Sequence, residues 1–161
     1  MEINDSTLQG NQATFDGGAF FTFGTTSTYI NGSTIQDNTA PNGGGVFIYS
    51  TMGLLSVDNS EILNNTGSTQ GGGIDLAYGA ELIINNSLIA TNHSGRRGGG
   101  LYKGSSLDHL PSTITNTTFQ DNTADWSGGG IYITRTPLTI LDSQFKNNQA
   151  GEYAGGLGYI S

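Results

Sequence analysis

An all-β parallel solenoid of about six coils, each of ~27 residues, is the fold this sequence predicts. Three observations carry the prediction. Gly, Asn, Thr and Ser make up nearly half of the 161 residues, and they favour turns and strands over helices. Short β-prone runs recur in phase from one end of the chain to the other. Several columns of that repeat hold one chemical class of residue in every copy, and one holds asparagine in all six, which a disordered polar tract has no reason to do.

The coil can be followed column by column. Its first apolar column is Ile3, Ile30, Val57, Ile84, Ile114 and Ile140. Three residues later stand Ser6, Ser33, Ser60, Ser87, Thr117 and Ser143. A second apolar column follows at Leu8, Ile35, Ile62, Ile89, Phe119 and Phe145. Next come Asn11, Asn38, Asn65, Asn92, Asn122 and Asn148. These suit a stacked-amide turn, because Asn tolerates positive φ and its amide bonds along a stack. The Ser/Thr column is expected to ladder through its hydroxyls in the same way.

A Gly-Gly turn then leads into a third apolar column: Phe20, Val46, Ile74, Leu101, Ile131 and Leu157. A further inward column starts at Met1 and continues through Thr28, Leu55, Leu82, Ser112 and Leu138. Each buried aliphatic contributes about 1.5–3 kcal/mol. The segment from the third column to the next coil varies in length and is longest between Leu101 and Ile114. A lateral loop through Asp108 and His109 is expected there.

Composition also narrows function. The chain has no cysteine, so disulfides and thiolate metal sites are excluded. A net charge of −8 argues against nucleic-acid binding. No window is apolar enough for a membrane helix, so the segment is not expected to be membrane-embedded. Neither a signal-peptide pattern nor terminal capping coils are recognisable. The chain, residues 1–161, is therefore expected to be one β-helix domain and a segment of a longer protein with flanking domains.

Gly-Gly-small-aliphatic strings alternate with Phe119-Gln120-Asp121-Asn122 and Phe145-Lys146-Asn147-Asn148. This pattern resembles the repeats of chlamydial polymorphic outer membrane proteins. The other four coils depart from it with Leu or Ile at the Phe position. The resemblance spans the chain and implies a right-handed parallel β-helix like that of pectate lyases. It implies a secreted or cell-surface passenger segment, adhesive or structural, that displays or binds a surface protein or glycan. A carbohydrate-active enzyme fragment, lyase- or hydrolase-like, is the alternative.

Catalytic and metal sites are not evident, and no cofactor is expected. The nearest approach to an acidic cluster is the column before the Asn ladder. Its Asp37 and Asp121 are three coils apart, about 14 Å by strand spacing, too far for one cation. His93 and His109 read as turn and loop residues. Two sets of large side chains are better candidates for binding. The residues after the third apolar column point outward by alternation. Phe21, Phe47, Tyr102 and Tyr132 lie there, interrupted by Asp75 and followed by Gly158. An exposed aromatic row is expected, ready to stack on sugars or a partner chain. The second set is Arg96, Arg97, Trp126 and Tyr153 in the variable turn before the glycines. Six Asn-x-Ser/Thr sequons, at Asn4, Asn31, Asn64, Asn85, Asn92 and Asn116, are candidate glycan acceptors.

Overall fold

The computed structural model describes residues 1–104 and 110–160. Each copy of the repeat forms one coil, and successive coils pair in parallel. Among the described residues there are 23 strands and no helix, arranged as four sheets. The first sheet stacks Glu2–Asn4, Thr28–Asn31, Leu54–Asp58, Glu81–Asn85, Ser112–Thr115 and Leu138–Leu141. The second runs from Thr7–Gln9 to Gln144–Lys146, and the short third from Thr39–Asn42 to Gln149–Ala150. The fourth stacks Phe20–Phe23, Val46–Tyr49, Ile74–Ala77, Leu101–Gly104, Ile131–Thr134 and Leu157–Ile160.

Register follows the sequence columns. Ile3 pairs with Ile30, Ile30 with Val57, Val57 with Ile84, Ile84 with Ile114, and Ile114 with Ile140. These columns meet in one continuous core, in which Ile30, Ile62, Leu82, Ile84 and Phe119 are fully buried. Phe119 and Phe145 stack inside it at 5.2 Å between centroids. The column begun by Met1 is also inward: Thr28, Leu55, Leu82 and Ser112 are buried, although Met1 itself is exposed.

The asparagine column closes its hydrogen bonds fully. Asn65 Nδ2 donates to Asn92 Oδ1 at 3.0 Å and to the Ile35 carbonyl at 2.9 Å. Its Oδ1 accepts from the Asn38 backbone N–H and from Asn38 Nδ2, both at 3.0 Å. Such complete pairing is what permits an amide to be buried. The expected positive φ, however, belongs to the residue before each ladder asparagine. Asp37, Asn64, Thr91, Asp121 and Asn147 have φ of 52–58°, and Gly10 has 68°. The side chain of the ladder residue is committed inward, so its neighbour makes the left-handed turn.

The Ser/Thr column also differs from expectation. Its hydroxyls do not bond to one another. Ser33 Oγ donates to the Asn31 carbonyl at 2.8 Å and accepts the Ser6 backbone N–H at 3.1 Å. A hydroxyl has one proton, and its own coil's carbonyl takes it. At the glycine turn, Cα atoms pass so close that a Cβ on Gly99 would lie 2.3 Å from the Gly129 and Thr123 carbonyl oxygens. Only glycine fits there.

One inward position carries a lysine. Lys103 lies in register between Leu76 and Ile133 and is fully buried. Its Nζ donates to the Leu110 carbonyl and to Ser112 Oγ, both at 2.9 Å, with the Pro111 carbonyl at 3.4 Å. Burial lowers its pKa to about 8, against an opposing pull from Glu81. The ammonium thus ties down the return of the longest inter-coil segment. The expected loop residues Asp108 and His109 lie outside the described residues.

Candidate functional site

Alternation along the fourth sheet sends one row of side chains away from the core. Phe21, Phe47, Asp75, Tyr102, Tyr132 and Gly158 pair in that order across six coils. Their strand neighbours Val46, Ile48, Ile74, Leu76, Leu101 and Ile131 belong to the core. The row therefore occupies the outer face, and its rings stack. Phe21 and Phe47 have centroids 5.6 Å apart, and Tyr102 and Tyr132 lie 5.9 Å apart and nearly parallel.

The row is not the exposed strip that alternation suggested. Phe21 is 47% exposed, but Phe47 and Tyr132 are only 6% and 5% exposed. The chain covers its own aromatics, because uncovered rings in a row are costly. On one side Phe23, Tyr49 and Tyr78 form a second aromatic group beside Phe47. On the other runs a paired row of turn residues: Asp16, Asn42, Gln70, Arg97, Ser127 and Tyr153.

Asp75 breaks the aromatic row in the middle. It is buried, and its Oδ1 has no hydrogen-bond partner among the described residues. Burial pushes its carboxyl well above the ordinary range, and Asp16 adds to the rise. Burial also raises the Tyr102 phenol, with Asp75 adding to the shift, while Arg97 and Gln70 oppose it.

The two nominated sets meet at the far end of the row. The Arg97 guanidinium carbon lies 4.0 Å from the centre of the Trp126 ring and 5.1 Å from that of Tyr132. Arg96 approaches the same indole at 5.1 Å. Trp126 Nε1 donates to Glu152 Oε2 at 2.5 Å, which fixes the ring. Arg97, Trp126, Tyr132, Tyr153, Leu157 and Gly158 line a cavity of about 510 Å³, completed by neighbouring residues of the last coil. Tyr102 backs it through its stack on Tyr132. Phe21 and Phe47 lie apart, beyond Asp75.

Other nominated groups have local partners. Asp37 accepts from Gln9 Nε2 and Asn64 Nδ2, and Asp121 from Gln120 Nε2. His93 Nδ1 lies 3.0 Å from Thr123 Oγ1, and its Nε2 is 3.9 Å from Asp125. Of the sequon asparagines, Asn92 is a fully buried ladder member and cannot accept a glycan in the folded chain. Sequence reasoning assigned no role to Lys103, Asp75 or Gly158. Each breaks the residue type of its column, which is the signal that marks them.

A family model described as a right-handed β-helix region matches residues 1–159. No curated protein and no solved structure gives a significant match to the chain.

Proposed function

Because the chain belongs to the right-handed β-helix family, we propose that it is a binding segment: a rigid solenoid displaying a recognition site on its fourth sheet. Surface repeats and carbohydrate-related proteins are both compatible with such a fold. The carrying observation is the cavity where Arg97, Trp126, Tyr132 and Tyr153 converge. Rings and a guanidinium at a concave edge are the side chains that give binding sites most of their energy. The alternation of Gly-Gly and Phe-x-x-Asn strings supports a secreted or cell-surface passenger role of the polymorphic outer membrane type, adhesive or structural, within a longer chain. The ligand is then a surface protein or glycan. Binding of the purified chain to glycan and surface-protein arrays tests this. Wild type binds and Trp126→Ala loses most of the signal; equal signals from both would reject the site.

A second reading, a carbohydrate-active enzyme, is favoured by Asp75. A buried carboxyl whose pKa is raised by that burial, beside a tyrosine, has the character of a general acid. Turnover of polygalacturonate or related glycans, with and without Ca²⁺, that disappears in Asp75→Asn would establish it over the first.

A further inference from the structure

The side-chain ladders of this solenoid run one way. In the Ser/Thr column each backbone N–H donates to the hydroxyl of the following coil, from Ser6 to Ser33 at 3.1 Å and onward to Thr117 and Ser143 at 3.1 Å. In the asparagine column the backbone N–H and Nδ2 both donate to the following Oδ1, from Asn11 and Asn38 to Asn122 and Asn148. The bonds do not reverse, so the two end coils are left with opposite deficits. On the last coil the backbone N–H groups of Ser143 and Asn148 have no partner among the described residues, and Asn148 Nδ2 donates only to the Phe119 carbonyl. On the first coil Ser6 Oγ and Asn11 Oδ1 accept no hydrogen bond from the described residues.

The apolar columns break off at the same two coils. Leu157 is 36% exposed, whereas Val46, Ile74, Leu101 and Ile131 in its column are fully buried. Ile3, Leu8 and Phe20 at one end, and Leu138, Ile140 and Phe145 at the other, are only partly buried. The strands of both end coils pair along one edge only. Unpaired strand edges beside exposed core side chains are a template for further parallel pairing.

We propose that the first coil of one copy of this 161-residue chain docks on the last coil of another, head to tail. In the register the coils already keep, Ser143 N–H meets Ser6 Oγ of the second copy, and Asn148 N–H and Nδ2 meet its Asn11 Oδ1. Ile140 then packs on Ile3, Phe145 on Leu8 and Leu157 on Phe20. The junction repeats the contacts that join neighbouring coils within one chain. Two like ends cannot form it, because donors would face donors and acceptors acceptors. The contact is heterologous and does not close on itself, so it propagates. Each added copy lengthens the rod by about 29 Å, six coil spacings. Opposing it are the net charge of −8 and Asp142, which the register sets one coil from Asp5 of the second copy. Salt screens both, so association strengthens with ionic strength. The proposal is independent of the reading of the cavity as a binding site.

Analytical ultracentrifugation of the chain over a range of concentrations tests it. Wild type forms a series of oligomers that grow with concentration and with salt. Leu157→Lys places a charge on the last-coil face, and Phe20→Asp places one on the first-coil face. Each variant alone is a monomer. An equimolar mixture forms a dimer and nothing larger, because one open first coil meets one open last coil. Wild type that stays monomeric, or either variant that dimerises by itself, overturns the proposal. A second test leaves the core untouched. The chain has no cysteine, and Thr7 and Gln144 stand on the outer face of one column. Within a chain they are five coils apart, about 24 Å, but across the junction they are about 4.8 Å apart, within disulfide reach. Thr7→Cys combined with Gln144→Cys oxidises to a covalent series of joined chains. Gln9→Cys combined with Gln144→Cys, displaced by two residues, does not. Equal cross-linking by the two pairs, or none by the first, overturns the head-to-tail register.

Discussion

A single ladder asparagine shows how a polar sequence makes a stable interior. Asn65 donates two side-chain hydrogen bonds and accepts two, all from neighbouring coils. Removing it would strand a backbone N–H, an amide of Asn38 and the Ile35 carbonyl. Each orphaned buried group costs about 1–3 kcal/mol. Asn65→Ala is therefore expected to lose at least about 3 kcal/mol in denaturant unfolding, whereas Asn11→Ala, at an exposed coil, loses less. The column was plain in the sequence, but the turn residue was not. Apart from Thr91, the column before it mixes Gly, Asn and Asp, the mixture that positive φ selects, and this was the better clue to the turn.

Asp75 makes the opposite point at the same scale. Its folded pKa is raised above the ordinary 3.8 by burial. Below that value both states are protonated and the group is neutral in its effect. As pH rises, the unfolded chain ionises first, so this group's stability contribution falls until the folded pKa is passed. Asp75→Asn should remove that fall, leaving a flatter profile of melting temperature against pH above 4. Identical profiles for the two proteins would show that Asp75 is solvated in the folded chain.

At the scale of the element, the coil's corners are uneven. The Ser/Thr and Asn corners keep constant spacing, because each is bonded to the coils on either side. The bend after the fourth sheet has no such ladder and varies in length. In the fourth coil it is tied instead by Lys103. Alternation from Leu101 places Lys103 inward, so its burial was legible. Its partners were not, since they are carbonyls of the returning loop. With a folded pKa of about 8 against the usual 10.5, the folded state releases its proton first. Stability should rise between about pH 8 and 10.5 in wild type relative to Lys103→Met. Parallel profiles in urea unfolding across that range would mean the amine is not buried.

For the whole molecule, the same stacking produces both the core and the site. Six coils in register align rings on the outer face as strictly as aliphatics on the inner one. The aromatic row could be read from the sequence. Its covering could not, because that depends on how turn residues far along the coil fold back beside it. The cavity likewise needs Trp126 and Tyr153, from the turns of two coils, to meet Tyr132 and Gly158 from two strands.

A column of buried, mutually bonded asparagines is what turns this polar chain into one solenoid. Hydrogen exchange of the side-chain amides, followed by NMR, tests it most directly. The Nδ2 protons of Asn38, Asn65, Asn92 and Asn122 should exchange only on global unfolding, as slowly as the most protected backbone amides of the core. Exchange at the rate of a free asparagine amide in these middle coils would contradict the stacked ladder and the fold built on it.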